Sequence, residues 1–222
     1  MSLAPLIDHT LLKPTTNAAE IEKLCAEAIE YGFAAVCVPP YFVADAAQRL
    51  QGKLPKVATV VGFPFGYSHY NAKMAETEQA VAEGAGEIDL VMNLAAFKNN
   101  DLAYLETEIA SILVAKKQAK LKVIVESGLL TDEELLRVIG LYRHYPIDFM
   151  KTSTGYAEKG ATVEAVRMMR EHLPERVQIK ASGGIRDHVF AQQLVDAGAT
   201  RLGCSAGVAI VKGSSSGQPS GY

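Results

Sequence analysis

A joint recurs along this chain: an amphipathic helical stretch, then a glycine, then a short run that is apolar at nearly every residue. The segments YGFAAVCV, EGAGEIDLV and DAGATRLGC place Gly32, Gly84 and Gly198 at the same point of that joint. Glycine ends helices readily because it accepts the left-handed conformation that a helix terminus demands. The runs that follow are AAVCV near Ala34, KVATVV near Lys56, EIDLVM near Glu87, LKVIVE near Leu121, DFMKTS near Asp148, VQIKAS near Val177 and RLGCS near Arg201. Half-exposed antiparallel strands alternate apolar and polar residues, whereas strands covered on both faces stay apolar throughout, so these runs predict a parallel sheet wrapped by helices. The segment Leu6 to Leu11 supplies an eighth strand, although Asp8, His9 and Thr10 interrupt it and an N-terminal arm is the alternative. Eight β/α units close into a (β/α)8 TIM barrel, while seven would suggest an open sheet.

The helical stretches support that reading. From Asn17 to Tyr31, Ile21, Leu24, Cys25, Ala28 and Ile29 form an apolar stripe opposite Glu20, Glu22, Lys23, Glu27 and Glu30. Asn17 is placed to cap this helix and Gly32 to end it. Thr131 and Glu134 have the spacing of a capping box, and Asp187 is placed to cap a helix that stops at Gly198. The 222 residues, 49% of them hydrophobic, suffice to bury one such core, so residues 1–212 read as one domain. Residues 213–222, GSSSGQPSGY, read as a flexible tail or a leftover of expression.

A net charge of -3 with both signs mixed along the chain offers no face for a polyanion, which argues against nucleic acid as a partner. No apolar run approaches the roughly 18 residues of a membrane span, and the start lacks a signal-peptide layout, so a soluble cytoplasmic protein is expected. Cys25, Cys37 and Cys204 are odd in number and far apart, and the five histidines show neither HxH nor HExxH spacing. No disulfide framework and no metal site is expected from them. Cys37 is expected to be exposed.

Catalytic groups of barrel enzymes sit where the strands end. Asp89, Lys151 and Lys180 each interrupt an otherwise apolar strand, and a charge inside a barrel is costly unless it is paired or used. Read as structure alone, Asp89 would pair with one lysine and leave the other without a partner. Two lysines at the ends of neighbouring strands also suit imine chemistry. An ordinary lysine is the free amine in only about one molecule in 2,500 at pH 7, and burial or a second cation raises that fraction. The spacing does not say which lysine attacks. After the seventh strand comes Ser182-Gly183-Gly184-Ile185 and after the eighth Gly203-Cys204-Ser205-Ala206-Gly207, each leading into a helical pattern. Such glycine loops cradle phosphate, and this fold keeps its phosphate site after strands seven and eight. The segment VGFPFGYS, Val61 to Ser68, suits a wall or lid over a substrate, or a plain turn.

Taken together, LIDHTLLKP, VCVPP, VVGFPFG, EIDLVMN, KVIVES, KTSTG, KASGGIR and LGCSAG resemble the deoxyribose-phosphate aldolase family of class I aldolases over nearly the whole chain. The resemblance implies that Lys151 forms the imine, Lys180 assists it and Asp89 relays protons. It places the substrate and its phosphate on Thr154, Gly155, Gly183, Gly184, Gly203 and Ser205, and it implies that Tyr222 reaches the site. Cys204 stands where threonine is expected, and Tyr156 follows the STG. The implied reaction is reversible cleavage of 2-deoxy-D-ribose 5-phosphate to D-glyceraldehyde 3-phosphate and acetaldehyde. It calls for no cofactor, because the iminium is itself the electron sink. The partner is then a small phosphosugar, and a homodimer is an assembly open to the chain. Another lysine aldolase, a phosphosugar isomerase and a phosphosugar-binding regulator are the other readings.

Overall fold

The computed structural model describes residues 2–213. Eight parallel strands close in sequence order: β1 Ile7–Thr10, β2 Ala35–Val38, β3 Lys56–Val61, β4 Glu87–Val91, β5 Lys120–Ile124, β6 Phe149–Lys151, β7 Gln178–Ser182 and β8 Arg201–Cys204. Pairing of Ile7 with Leu202 and of His9 with Cys204 shuts the barrel. The helices are α1 Ala18–Tyr31, α2 Val43–Arg49, α3 Tyr70–Ala82, α4 Leu94–Lys98, α5 Leu102–Ala115, α6 Asp132–Tyr142, α7 Val163–His172, α8 His188–Asp196 and α9 Gly207–Val211. None is long and apolar enough to cross a membrane.

Local chemistry sets the helix ends as the sequence suggests. Asn17 and Thr131 each form a reciprocal capping box, with Glu20 and Glu134. The Asp187 carboxylate accepts from the Phe190 N–H at 2.9 Å, and Gly32 ends α1 in the left-handed conformation at φ +67°. The segment Leu6 to Leu11 is a true barrel strand and not an arm, since Asp8, His9 and Thr10 are all buried. His9 leaves the barrel wall outward, with Nε2 2.7 Å from Glu27 of α1. Asp8 has a different destination.

The main apolar core lies between the barrel wall and the helices, where Ile21, Leu24, Ile88, Ile109, Val138, Val166 and Leu194 pack. A second, smaller cluster of Leu12, Ala35, Cys37, Ala58 and Val60 is separate from it. Cys37, expected at the surface, is fully buried there. Its position on β2 sends the thiol inward, and burial pushes the thiol pKa up, away from the reactive thiolate.

Candidate active site

Strand register brings the polar residues together. Asp89 lies opposite Lys122 across the β4–β5 pair, and Lys151 opposite Lys180 across β6–β7. Lys151 Nζ donates to Asp89 Oδ2 at 2.9 Å and Lys180 Nζ donates to the same oxygen at 2.7 Å, while Lys122 Nζ donates to Oδ1 at 2.7 Å. All four side chains are buried. Burial alone would raise the Asp89 pKa, but Lys122, Lys151 and Lys180 outweigh it and hold the carboxyl well below the usual range.

The network then runs deeper. Lys122 also meets Glu87 at 2.7 Å, Glu87 meets Arg201 at 3.0 Å, Arg201 meets Asp8 at 2.6 Å, and Asp8 returns to Lys180 at 2.5 Å. Three carboxylates and three cations thus alternate in a closed ring, Lys180–Asp89–Lys122–Glu87–Arg201–Asp8. The expectation that Asp89 would leave one lysine without a partner is corrected here, because Asp8 partners Lys180. Lys151 hangs from the ring as a surplus cation.

That imbalance separates the two lysines. At Lys151 burial pulls the pKa down, Asp89 pulls it up and Lys180 pushes it down again, for a net lowering. At Lys180 burial acts the same way, but Asp8 and Asp89 together overcome it and hold the ammonium well above the lysine range. Two amines at the end of one network are therefore shifted in opposite directions, the pattern that marks sites where a nucleophile is tuned.

The glycine loops form one wall at the same end. Gly183 and Gly184 are both left-handed, at φ +86° and +78°, so side-chain-bearing residues would be strained there. A Cβ on Gly160 would lie 2.3 Å from the Gly183 carbonyl oxygen, and one on Gly183 would lie 3.3 Å from Gly155 Cα. The Ser182 hydroxyl donates to the Ser153 carbonyl at 2.5 Å. Thr154, Gly155, Gly183 and Gly184 are thereby brought together. Gly203 is opposite Ser182 on β8, and Ser205 follows that strand, exposed. The two loops meet their helices differently: α8 begins only at His188, with its first turn capped by Asp187, whereas α9 begins at Gly207 of the second loop and has five residues. Tyr222 and the rest of the tail beyond Gly213 lie outside the described residues.

The segment after β3 is a hydrogen-bonded turn, with the Gly66 N–H donating to the Gly62 carbonyl at 2.8 Å and the Gly62 N–H to Glu76 of α3 at 2.7 Å. Phe63 of this turn meets Tyr156 edge to face at 5.3 Å, and the Tyr156 hydroxyl donates to the Leu12 carbonyl at 2.8 Å. Tyr156 therefore links the loops after β1, β3 and β6.

Sequence reasoning missed Asp8, Glu87, Lys122 and Arg201. A signal existed for Lys122, which sits between Leu121 and Val123 as Asp89 sits between Ile88 and Leu90.

Residues 3–217 match the model of the DeoC/LacD family aldolases. The deoxyribose-phosphate aldolase of Exiguobacterium sibiricum is 48% identical over 217 residues, covering 97% of this chain and 98% of that protein. Deoxyribose-phosphate aldolase 1 of Cutibacterium acnes is 48% identical over 211 residues, 95% of this chain and 97% of that protein. The tetrameric deoxyribose phosphate aldolase from Aeropyrum pernix superposes with a TM-score of 0.88 at 31% identity, covering 95% of this chain and 89% of the other. A closed parallel barrel, two lysines sharing one buried carboxylate and kinship over almost the full length lead to one conclusion: the chain belongs to the DeoC/LacD aldolase family and is an aldehyde lyase.

Proposed function

We propose that the enzyme cleaves 2-deoxy-D-ribose 5-phosphate reversibly to D-glyceraldehyde 3-phosphate and acetaldehyde, with Lys151 as the imine-forming residue. The observation that carries this reading is the surplus position of Lys151 beside a ring already balanced by its own charges. Losing either proton leaves three cations against three carboxylates, but Lys180 bridges Asp8 and Asp89 whereas Lys151 touches Asp89 alone, so the Lys151 proton is the less costly to lose. Lys151 is therefore the amine that is free to attack, and Lys180 remains an ammonium.

The free amine of Lys151 adds to the C1 aldehyde of the open-chain sugar, and loss of water with uptake of one proton, returned in the final hydrolysis, gives an iminium. The C3 hydroxyl proton passes to the relay of Asp89 and Lys180, acting through water. As the C3–O bond becomes a carbonyl, the C2–C3 bond breaks and its electron pair moves into the iminium. Glyceraldehyde 3-phosphate departs and an enamine remains. The relay returns a proton to C2 of the enamine, and hydrolysis frees acetaldehyde and the Lys151 amine. The substrate phosphate is assigned to the wall of Gly155, Gly183 and Gly184 with Gly203 and Ser205 alongside, where left-handed glycines let backbone N–H groups approach an anion. Thr154 belongs to the same loop.

Borohydride reduction in the presence of 2-deoxyribose 5-phosphate, followed by peptide mass spectrometry, tests the proposal. An adduct on Lys151 is expected. Turnover without any lysine adduct, or an adduct on Lys180 alone, would overturn it.

A further inference from the structure

Beyond the proposed lysine chemistry, one buried carboxylate near the site has no part in the charge ring. Glu126 follows β5 and is 3% exposed. Its backbone is left-handed, at φ +50° and ψ +58°, a conformation that residues other than glycine rarely adopt. Backbone pairing with the end of β6 continues on both sides of this kink. The Val125 N–H donates to the Lys151 carbonyl at 3.0 Å and the Ser127 N–H to the Thr152 carbonyl at 2.8 Å. A strained residue set between two regular contacts persists only where its surroundings hold it.

What holds it is Thr154. The Thr154 N–H donates to both Glu126 oxygens at 3.2 Å, and its hydroxyl donates to Glu126 Oε2. The same hydroxyl oxygen accepts from the Tyr156 N–H at 3.1 Å. Both donors of Thr154 are thus directed at Glu126 and away from a ligand. The next residue, Gly155, is left-handed at φ +88° and lies against Gly183. Burial raises the Glu126 pKa, while the hydrogen bonds from Thr154 pull it down.

We infer that Glu126 is a positioning residue that sets the preference for a phosphorylated substrate, by fixing Thr154 and with it the face that Gly155 and Gly183 present to the anion. The inference rests on the proposed aldolase reading. Lys151 is placed by pairing with Ile124 of β5 and Lys180 of β7, and its charge is the smallest of the influences acting on the Glu126 carboxyl, so disturbing Glu126 moves the anion wall more than the amine. Glutamine at position 126 keeps the shape but presents one oxygen and an N–H2 group to two donors, so one Thr154 donor loses its acceptor.

The test compares kcat/KM for 2-deoxyribose 5-phosphate and for unphosphorylated 2-deoxyribose in the wild type, Glu126→Gln, Thr154→Val and the double variant. Glu126→Gln is expected to lower the ratio of the two at least about tenfold, mainly through KM for the phosphorylated sugar. Cleavage of the unphosphorylated sugar should change less than about threefold. Thr154→Val should act in the same direction, and the double variant should add little, as expected of partners in one contact. If Glu126→Gln does not fold, Thr154→Val carries the test, because it deletes one hydroxyl and leaves the carboxylate in place. An unchanged ratio, equal losses on both sugars, or fully additive effects would each overturn the inference. Borohydride trapping on the wild type keeps the two ideas apart: no Lys151 adduct refutes the underlying reading, whereas a Lys151 adduct with an unchanged ratio refutes only the role of Glu126.

Discussion

Replacing Lys180 with leucine removes the cation that shares an Asp89 oxygen with Lys151 while leaving the proposed nucleophile in place. The two ammonium nitrogens lie 2.9 and 2.7 Å from one Asp89 oxygen, so they are no further apart than those contacts laid end to end, about 5.6 Å. At an effective dielectric of about 20, two unit charges at that distance repel by about 3 kcal/mol. Removing this repulsion favours the protonated form of Lys151 by about a hundredfold at a given pH. The ring acts in the same direction, because Asp8 and Asp89 lose a shared cation and draw the Lys151 proton more strongly. The sign is therefore fixed: the pKa of Lys151 rises, and the acid limb of imine formation moves to higher pH. The assay is the rate of borohydride trapping with acetaldehyde as a function of pH, which isolates imine formation from the proton relay proposed for Lys180. An acid limb at the wild-type position, in a folded variant that still forms the Lys151 adduct, would refute the argument from charge.

Three further outcomes are expected. Lys151→Leu should abolish turnover and the trapped adduct together, as read by an aldehyde-release assay and by mass spectrometry. Asp89→Asn leaves Lys122, Lys151 and Lys180 around a neutral amide, so urea denaturation should show a loss of about 3–5 kcal/mol. In the fraction that stays folded, kcat should fall more than KM rises, because proton transfer is lost before binding. Gly160→Ala places a methyl group 2.3 Å from the Gly183 carbonyl oxygen; it should cost about 1–3 kcal/mol of stability by overpacking and raise KM for the phosphosugar in steady-state kinetics.

The fold was legible because its grammar is local: an apolar run, a glycine or a cap recurs at each joint, and each is decided by neighbours in the chain. Asp89, Lys151 and Lys180 were legible for the same reason, as charges set inside apolar runs. Lys122 obeyed that rule too, but it was absorbed into its run. Asp8 read as a flaw in a weak strand, because its partner Arg201 lies 193 residues away and meets it only when the barrel closes. Glu87 and Arg201 begin their strands, where charges are ordinarily solvated, so nothing local marks them as buried. The role of Glu126 depends on a left-handed backbone that the run KVIVES does not announce. Cys37 was misplaced against that same grammar, since it lies inside the apolar run AAVCV and both faces of such a strand are covered.

The charge ring also divides the chain in two. Asp8, Glu87 and Asp89 come from β1 and β4, whereas Lys122, Lys151, Lys180 and Arg201 come from β5 to β8. The first four strands thus bring only acids to this network and the last four only bases. Neither half-barrel can bury its share alone, since each would enclose like charges without counterions. Closure of the barrel therefore brings three acids against four bases and leaves Lys151 as the one charge in excess. Fragments cut between β4 and β5 are therefore expected to reassemble with each other in preference to a second copy of themselves, which mixing the two and measuring their association would check.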